Sequence, residues 1–85
     1  MATKQIKQFN VIFRAESEGG FTAIVPSLPG CISYGRNLQE AKKMVANAIN
    51  GYITSLKKHK EPVPSDENNF FALVQVPTKI SPLYA

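Results

Sequence analysis

A single cysteine and a single histidine stand among 85 residues, and only six acidic side chains face ten basic ones. Each shortage removes a class of function. One cysteine, Cys31, permits no intrachain disulfide, which fits a reducing cytoplasm. One cysteine and one histidine cannot furnish a structural zinc site. No segment approaches the roughly 18 apolar residues that a membrane-spanning helix needs. Nothing at the N-terminus resembles a charged and then apolar secretion leader. The expectation is a cytoplasmic protein with no membrane contact and no cofactor, forming one domain over residues 1–85. A domain of this size buries only about 60 to 65% of its unfolded surface. The net charge of +4 favours anionic surfaces without specifying one.

What is present is organised around residues 19–35, Gly-Gly-Phe-Thr-Ala-Ile-Val-Pro-Ser-Leu-Pro-Gly-Cys-Ile-Ser-Tyr-Gly. The pattern is a strand, a stiff corner and a second strand. Pro29 presets the first central position of a tight turn, and Gly30 can adopt the positive φ that a type II turn requires at the second. Pro26 lacks an N–H, so the strand starting at Phe21 stops near Val25. Upstream, Gln5 to about Glu16 alternates, with Phe9, Val11, Phe13 and Ala15 on one face. The connection Glu16-Ser-Glu-Gly-Gly has hairpin length, so these two strands are antiparallel. Cys31 to Arg36 forms the third strand.

Asn37 has the character of a helix N-cap, and Glu40 stands where a capping box would place it, a pairing that stabilises a helix start by about 1 kcal/mol. Leu38, Ala41, Val45, Ala48, Ile49, Tyr52 and Leu56 then form a stripe at helical spacing. Pro62 and Pro64 prevent continuation. Gly51, inside the stripe's span, is expected where helix and sheet approach closely. After a polar linker over residues 65–69, Phe70 to Val76 reads as a fourth strand, stopped by Pro77. A strand, helix, strand crossover places that strand parallel to a member of the meander, with β1 the expected neighbour. The expected fold is therefore α+β, with order β-β-β-α-β: a four-stranded mixed sheet with one long amphipathic helix on one face.

That architecture leaves a sheet face uncovered. If Phe9, Val11, Phe13, Ala23, Val25, Phe70, Ala72 and Val74 meet the helix, then Ile12, Ile24, Phe71 and Leu73 project from the other side. Exposed apolar surface of this kind marks contact sites. Ile12, Ile24, Tyr34, Phe71 and Leu73, with Arg36 at the rim, are the candidate partner or oligomer interface, and a homo-oligomer, dimer or tetramer, is expected. Lys42, Lys43, Lys57, Lys58 and Lys60 are candidate anion contacts. The simpler account of those lysines is solubility and complementarity to the helix dipole, since no nucleic-acid-binding motif accompanies them.

The series Gly20-Phe-Thr-Ala-Ile-Val-Pro-Ser-Leu-Pro-Gly-Cys-Ile-Ser-Tyr-Gly, then Asn37-Leu-Gln-Glu-Ala, then Ala48-Ile-Asn-Gly-Tyr resembles the HicB-like antitoxin domain over about Val11 to Pro64. The resemblance implies a partial ribonuclease-H-like fold without nuclease activity. It also implies a HicA-like toxin partner, a small basic mRNA-cleaving ribonuclease neutralised by steric masking. Many such antitoxins continue into an operator-binding domain. This chain ends at Ala85, so direct DNA binding is not expected of it. Its basic charge departs from the acidic surface suited to a basic toxin, which keeps a second reading alongside the first: a free-standing HicB-like oligomer with an RNA-associated or regulatory role.

Catalysis is not expected. A ribonuclease-H-type centre needs carboxylates clustered to hold two metal ions about 4 Å apart. The expected first strand offers Asn10, Ile12 and Arg14 on the relevant face, and the expected last strand has no acid. Cys31 and His59 do not make a nucleophile pair, because a helix of about 20 residues, roughly 30 Å long, separates them.

Overall fold

The computed structural model describes residues 7–79. Three strands, β1 (Ile12–Ala15), β2 (Phe21–Ile24) and β3 (Ile32–Gly35), precede one helix, α1 (Leu38–Lys58). The strands form an antiparallel meander in the order β1-β2-β3. Register runs straight across the sheet: Ile12 opposes Ile24, which opposes Ile32, and Phe13 opposes Ala23, which opposes Ser33. Because side chains alternate along a strand, these rows lie on opposite faces.

The turns form where the residue types require them. Glu16 opens the first hairpin, accepting from the Gly19 N–H at 3.0 Å, and both Gly19 and Gly20 take positive φ. In the corner, Cys31 N–H donates to Leu28 O at 2.9 Å across Pro29 and Gly30, with Gly30 at φ +82°. That is the expected type II turn. A second turn precedes it, with Leu28 N–H donating to Val25 O across Pro26 and Ser27. Two turns in series drive Leu28 inward, where it is fully buried beside Ala23, Val25, Cys31 and Val45. Phe9, Val11, Phe13, Ala48, Ile49, Tyr52 and Leu56 pack around this cluster. The helix is bound to the corner by the Tyr52 hydroxyl, which donates to Pro29 O at 2.9 Å.

The helix begins at Asn37, whose side chain accepts the Glu40 N–H at 2.8 Å. Glu40 does not close the expected capping box on Asn37. Its carboxylate instead accepts the Arg36 N–H at 2.9 Å and the Arg36 guanidinium at 2.9 Å, because a charged fork one residue further out offers the carboxylate two donors in place of one. At the other end, Lys60 N–H donates to Lys57 O and Glu61 N–H to Leu56 O, with Lys60 at φ +56°. This is a Schellman cap with a lysine in the position that glycine usually occupies.

Four expectations need correcting. The first strand is shorter than the 5–16 segment; Gln5 and Ile6 lie outside the described residues, and regular pairing begins only at Ile12. Gly51 is exposed with nothing near its Cβ position, whereas a Cβ on Gly35 would strike the Ala41 backbone. The close approach of helix and sheet therefore falls at β3, where the chain turns directly into α1. The 65–69 segment is more than a linker, since Asp66 is only 6% exposed. Finally, Phe70 to Val76 pairs with no strand, and Phe70, Ala72 and Val74 do not meet the helix. Among the described residues the sheet is thus three-stranded and wholly antiparallel, not four-stranded and mixed. Apolar, β-branched composition suits a residue to a sheet but cannot substitute for a hydrogen-bonding neighbour.

Candidate functional site

The sheet face turned away from α1 carries two cross-strand rows. One is Ile12, Ile24 and Ile32; the next is Arg14, Thr22 and Tyr34. Ile32 is 58% exposed, Tyr34 50% and Ile12 43%, while Ile24, central in its row, is half-buried by its neighbours. The apolar row is thus flanked by a polar one, an arrangement that matches the apolar centre and polar margin of protein interfaces.

The second row is tied together by hydrogen bonds. Tyr34 crosses the hairpin and donates to Gly19 O at 3.0 Å. It can lie there only because Gly20 has no side chain: a Cβ at that position would collide with the Tyr34 ring and hydroxyl. Glu16 accepts from the Thr22 hydroxyl at 2.5 Å and from Arg14 Nε at 3.1 Å. These partners, the Thr22 hydroxyl first and Arg14 second, hold its carboxyl below the usual range.

The candidate interface residues thus divide. Ile12, Ile24 and Tyr34 share the open face. Arg36 is bound to Glu40 at the start of α1, and that hydrogen-bonded pair pulls the Glu40 carboxyl down and raises the guanidinium further. Phe71 and Leu73 are exposed, at 57% and 86%, but they stand on the unpaired C-terminal segment and not on the sheet. Sequence reasoning missed Ile32, although its parity with Tyr34 on the same strand places it on the same face.

A second polar centre, unforeseen from sequence, lies where the chain ahead of β1 meets the corner after β2. Asp66 accepts from the Ser27 hydroxyl at 2.5 Å and from the Asn10 N–H at 2.9 Å, and its own N–H donates to Gln8 O at 2.8 Å. Asn10 Nδ2 donates to Asn69 O at 2.9 Å. The hydroxyl of Ser27 and the amide of Asn10 lower the Asp66 carboxyl from its ordinary value. A shallow pocket continues from here over Pro26, Asn68, Asn69, Phe70 and Phe71. The signal in the sequence was Asp66 followed by two asparagines, a turn-forming composition that does not reveal its distant partners.

Lys42, Lys43, Lys57, Lys58 and Lys60 are all exposed, the first two near the start of α1 and the others at its end. At 1.5 Å per residue the two groups stand about 20 Å apart, and they form no single patch with the open sheet face. Cys31 is buried and desolvation raises its thiol, which disfavours the reactive thiolate. His59 is exposed with its ring Nδ1 2.8 Å from Ser55 O. Among the described residues no three His, Cys, Asp or Glu side chains are grouped so as to hold a metal ion, and no helix is long and apolar enough to cross a membrane.

The chain is 41% identical to a UPF0150 protein of Thermoplasma acidophilum over 59 residues, covering 69% of this chain and 86% of that relative. It is 39% identical to a UPF0150 protein of Synechocystis over 64 residues, covering 75% and 81% respectively. A UPF0150 protein of Helicobacter pylori is 31% identical over 61 residues, covering 72% and 85%. The family model for the HicB-like antitoxin of bacterial toxin-antitoxin systems matches residues 9–78, a span that takes in the whole meander, α1, the Asp66 centre and the unpaired segment. The chain belongs to the HicB-like antitoxin family of bacterial toxin-antitoxin systems.

Proposed function

We propose that this protein neutralises a small basic HicA-like ribonuclease by steric masking, with the open sheet face as the docking surface. The observation that carries this reading is the row Ile12, Ile24 and Ile32 beside Tyr34, an apolar strip left open on the sheet. Contact there would cover the toxin's RNA-binding surface without any chemistry by the antitoxin. A chain of net charge +4 gains no electrostatic steering toward a basic partner. Association on this reading is driven by apolar burial against like-charge repulsion, with an on-rate no higher than about 10⁵ to 10⁶ M⁻¹ s⁻¹ that rises as salt screens the repulsion.

The test begins with capture of the N-terminally tagged protein from its own cell lysate, with and without nuclease. The expected catch is a small basic protein that survives nuclease. Its RNA cleavage should be suppressed by one equivalent of this chain, and Ile32→Asp should restore cleavage while leaving the helical circular dichroism unchanged. Recovery of RNA-dependent associates alone, or suppression indifferent to Ile32→Asp, would overturn the masking reading.

A further inference from the structure

The segment Phe70 to Val76 has strand composition but no strand partner. Phe70 is 82% exposed, Leu73 86%, Val74 78% and Val76 70%. Among the described residues β1 pairs with β2 alone, so its other edge is open. The segment does not close onto that edge in its own chain. Asp66 and Asn69 are fastened to Gln8 and Asn10, immediately ahead of β1, and from Asn69 the chain leads away from the sheet.

A second feature lies at the same edge. The helix packs chiefly on β3 and β2, so the inner face of β1 is incompletely roofed and Phe9, Val11 and Phe13 are only half-buried. Beside them runs a shallow groove lined by Phe9, Ala46, Ile49 and Ile53, with Lys7 and Lys57 at its margins. An added strand on β1 would direct alternate side chains into this groove and supply the missing backbone partners together.

We infer that the occupant is the Phe70–Val76 strand of a second copy, exchanged reciprocally to give a two-fold dimer. The fit is one of chemistry and of size. The segment is apolar at every position but Gln75, and its seven residues extend about 23 Å at the rise of a strand. Its exposed side chains amount to on the order of 600 Å² per copy, from the sizes of such side chains. With alternate side chains covered, about half of that area, and the receiving surface counted in both copies, the exchange reaches about 1,200 Å², the lower end of the range of stable protein interfaces. Exchange of an identical element is a low-cost route to a dimer when the strand already leaves its own body. The exchanged strand completes in each protomer the four-stranded sheet for which the sequence is patterned, and it leaves the Ile12, Ile24 and Ile32 face open.

The experiment uses the full chain alone, so its result does not depend on whether any toxin binds. Light scattering coupled to size exclusion should give twice the 9.4 kDa chain mass. A sample refolded from equal parts of ¹⁵N-labelled and ¹³C-labelled protein should show filtered NOEs from Phe71 and Leu73 of one label to the backbone of residues 11–15 of the other. Leu73→Asp should give a monomer with unchanged helical circular dichroism, whereas Ile32→Asp should remain a dimer. A monomeric wild type, contacts of the 70–76 segment to β1 confined to one label, or a dimer broken by Ile32→Asp and indifferent to Leu73→Asp would each overturn the exchange.

Discussion

The corner at residues 25–31 and the segment at residues 70–76 are both seven residues long and rich in apolar side chains, yet the first folds on itself around the buried Leu28 and the second stands exposed. In the corner, backbone groups close on one another: Val25 N–H donates to Cys31 O, and two turns lie inside that bond. Leu28 is thereby turned toward the core, where Ala23 and Val45 help to bury it. The C-terminal segment has no such closure, and its hydrogen bonds can be made only by another strand. Local geometry thus secures one region, while the other waits on a neighbour.

Breaking the secured side should give the largest effect. Leu28→Ala, at a fully buried position, should destabilise the domain by about 2 to 5 kcal/mol in denaturant unfolding, whereas Leu73→Ala in dilute monomer should change it by less than about 0.5 kcal/mol. Equal losses from the two would erase the distinction between the regions. Removing the helix start, a local device like the corner, should cost about 1 kcal/mol for Asn37→Ala, read from the same unfolding curves. Lys60→Gly should stabilise by roughly 0.5 to 1 kcal/mol, because Lys60 holds a left-handed conformation that glycine adopts without strain.

The smallest effect concerns the joint between the regions, where Asp66 fastens the C-terminal segment to β1. Its carboxyl is held below the ordinary value of 3.8 by the Ser27 hydroxyl and the Asn10 N–H. A depressed folded value means that the ionised form is the one the fold favours. The contribution of this joint is therefore complete above about pH 4 and is lost as pH falls through the folded value. The Asn10 amide resonance should titrate below pH 3.8 in the native protein, and Ser27→Ala should move that midpoint upward. Titration at or above 3.8 in the native protein would mean that the joint is not made in solution.

Much of the core architecture was legible because it rests on local rules. Pro29-Gly30 specified a type II turn, Glu16 to Gly20 a hairpin, Asn37 a cap, and the stripe from Ala41 to Leu56 the buried side of a helix. Parity along β1 and β2 separated Phe13 and Ala23 from Ile12 and Ile24. Half of the candidate site followed from the same parity, and Ile32 would have followed had it been carried to β3. Gly51 misled because a glycine within a helix has no single cause. Glu40 left the capping box because Arg36 offered competing donors that the box motif does not weigh.

By itself, then, the sequence determined the antiparallel meander, the corner, the helix and the division of β1 and β2 into two faces, since each depends on residues within a few positions of one another; which of those faces takes the helix was left to the tertiary structure. Only the tertiary structure decided which glycine lets helix and sheet meet, that Asp66 reaches back more than fifty positions to Asn10, and that the strand-like 70–76 segment stands free of its own sheet. Those outcomes depend on distant groups competing for the same hydrogen bonds and the same apolar surface, and no local pattern records which of them wins.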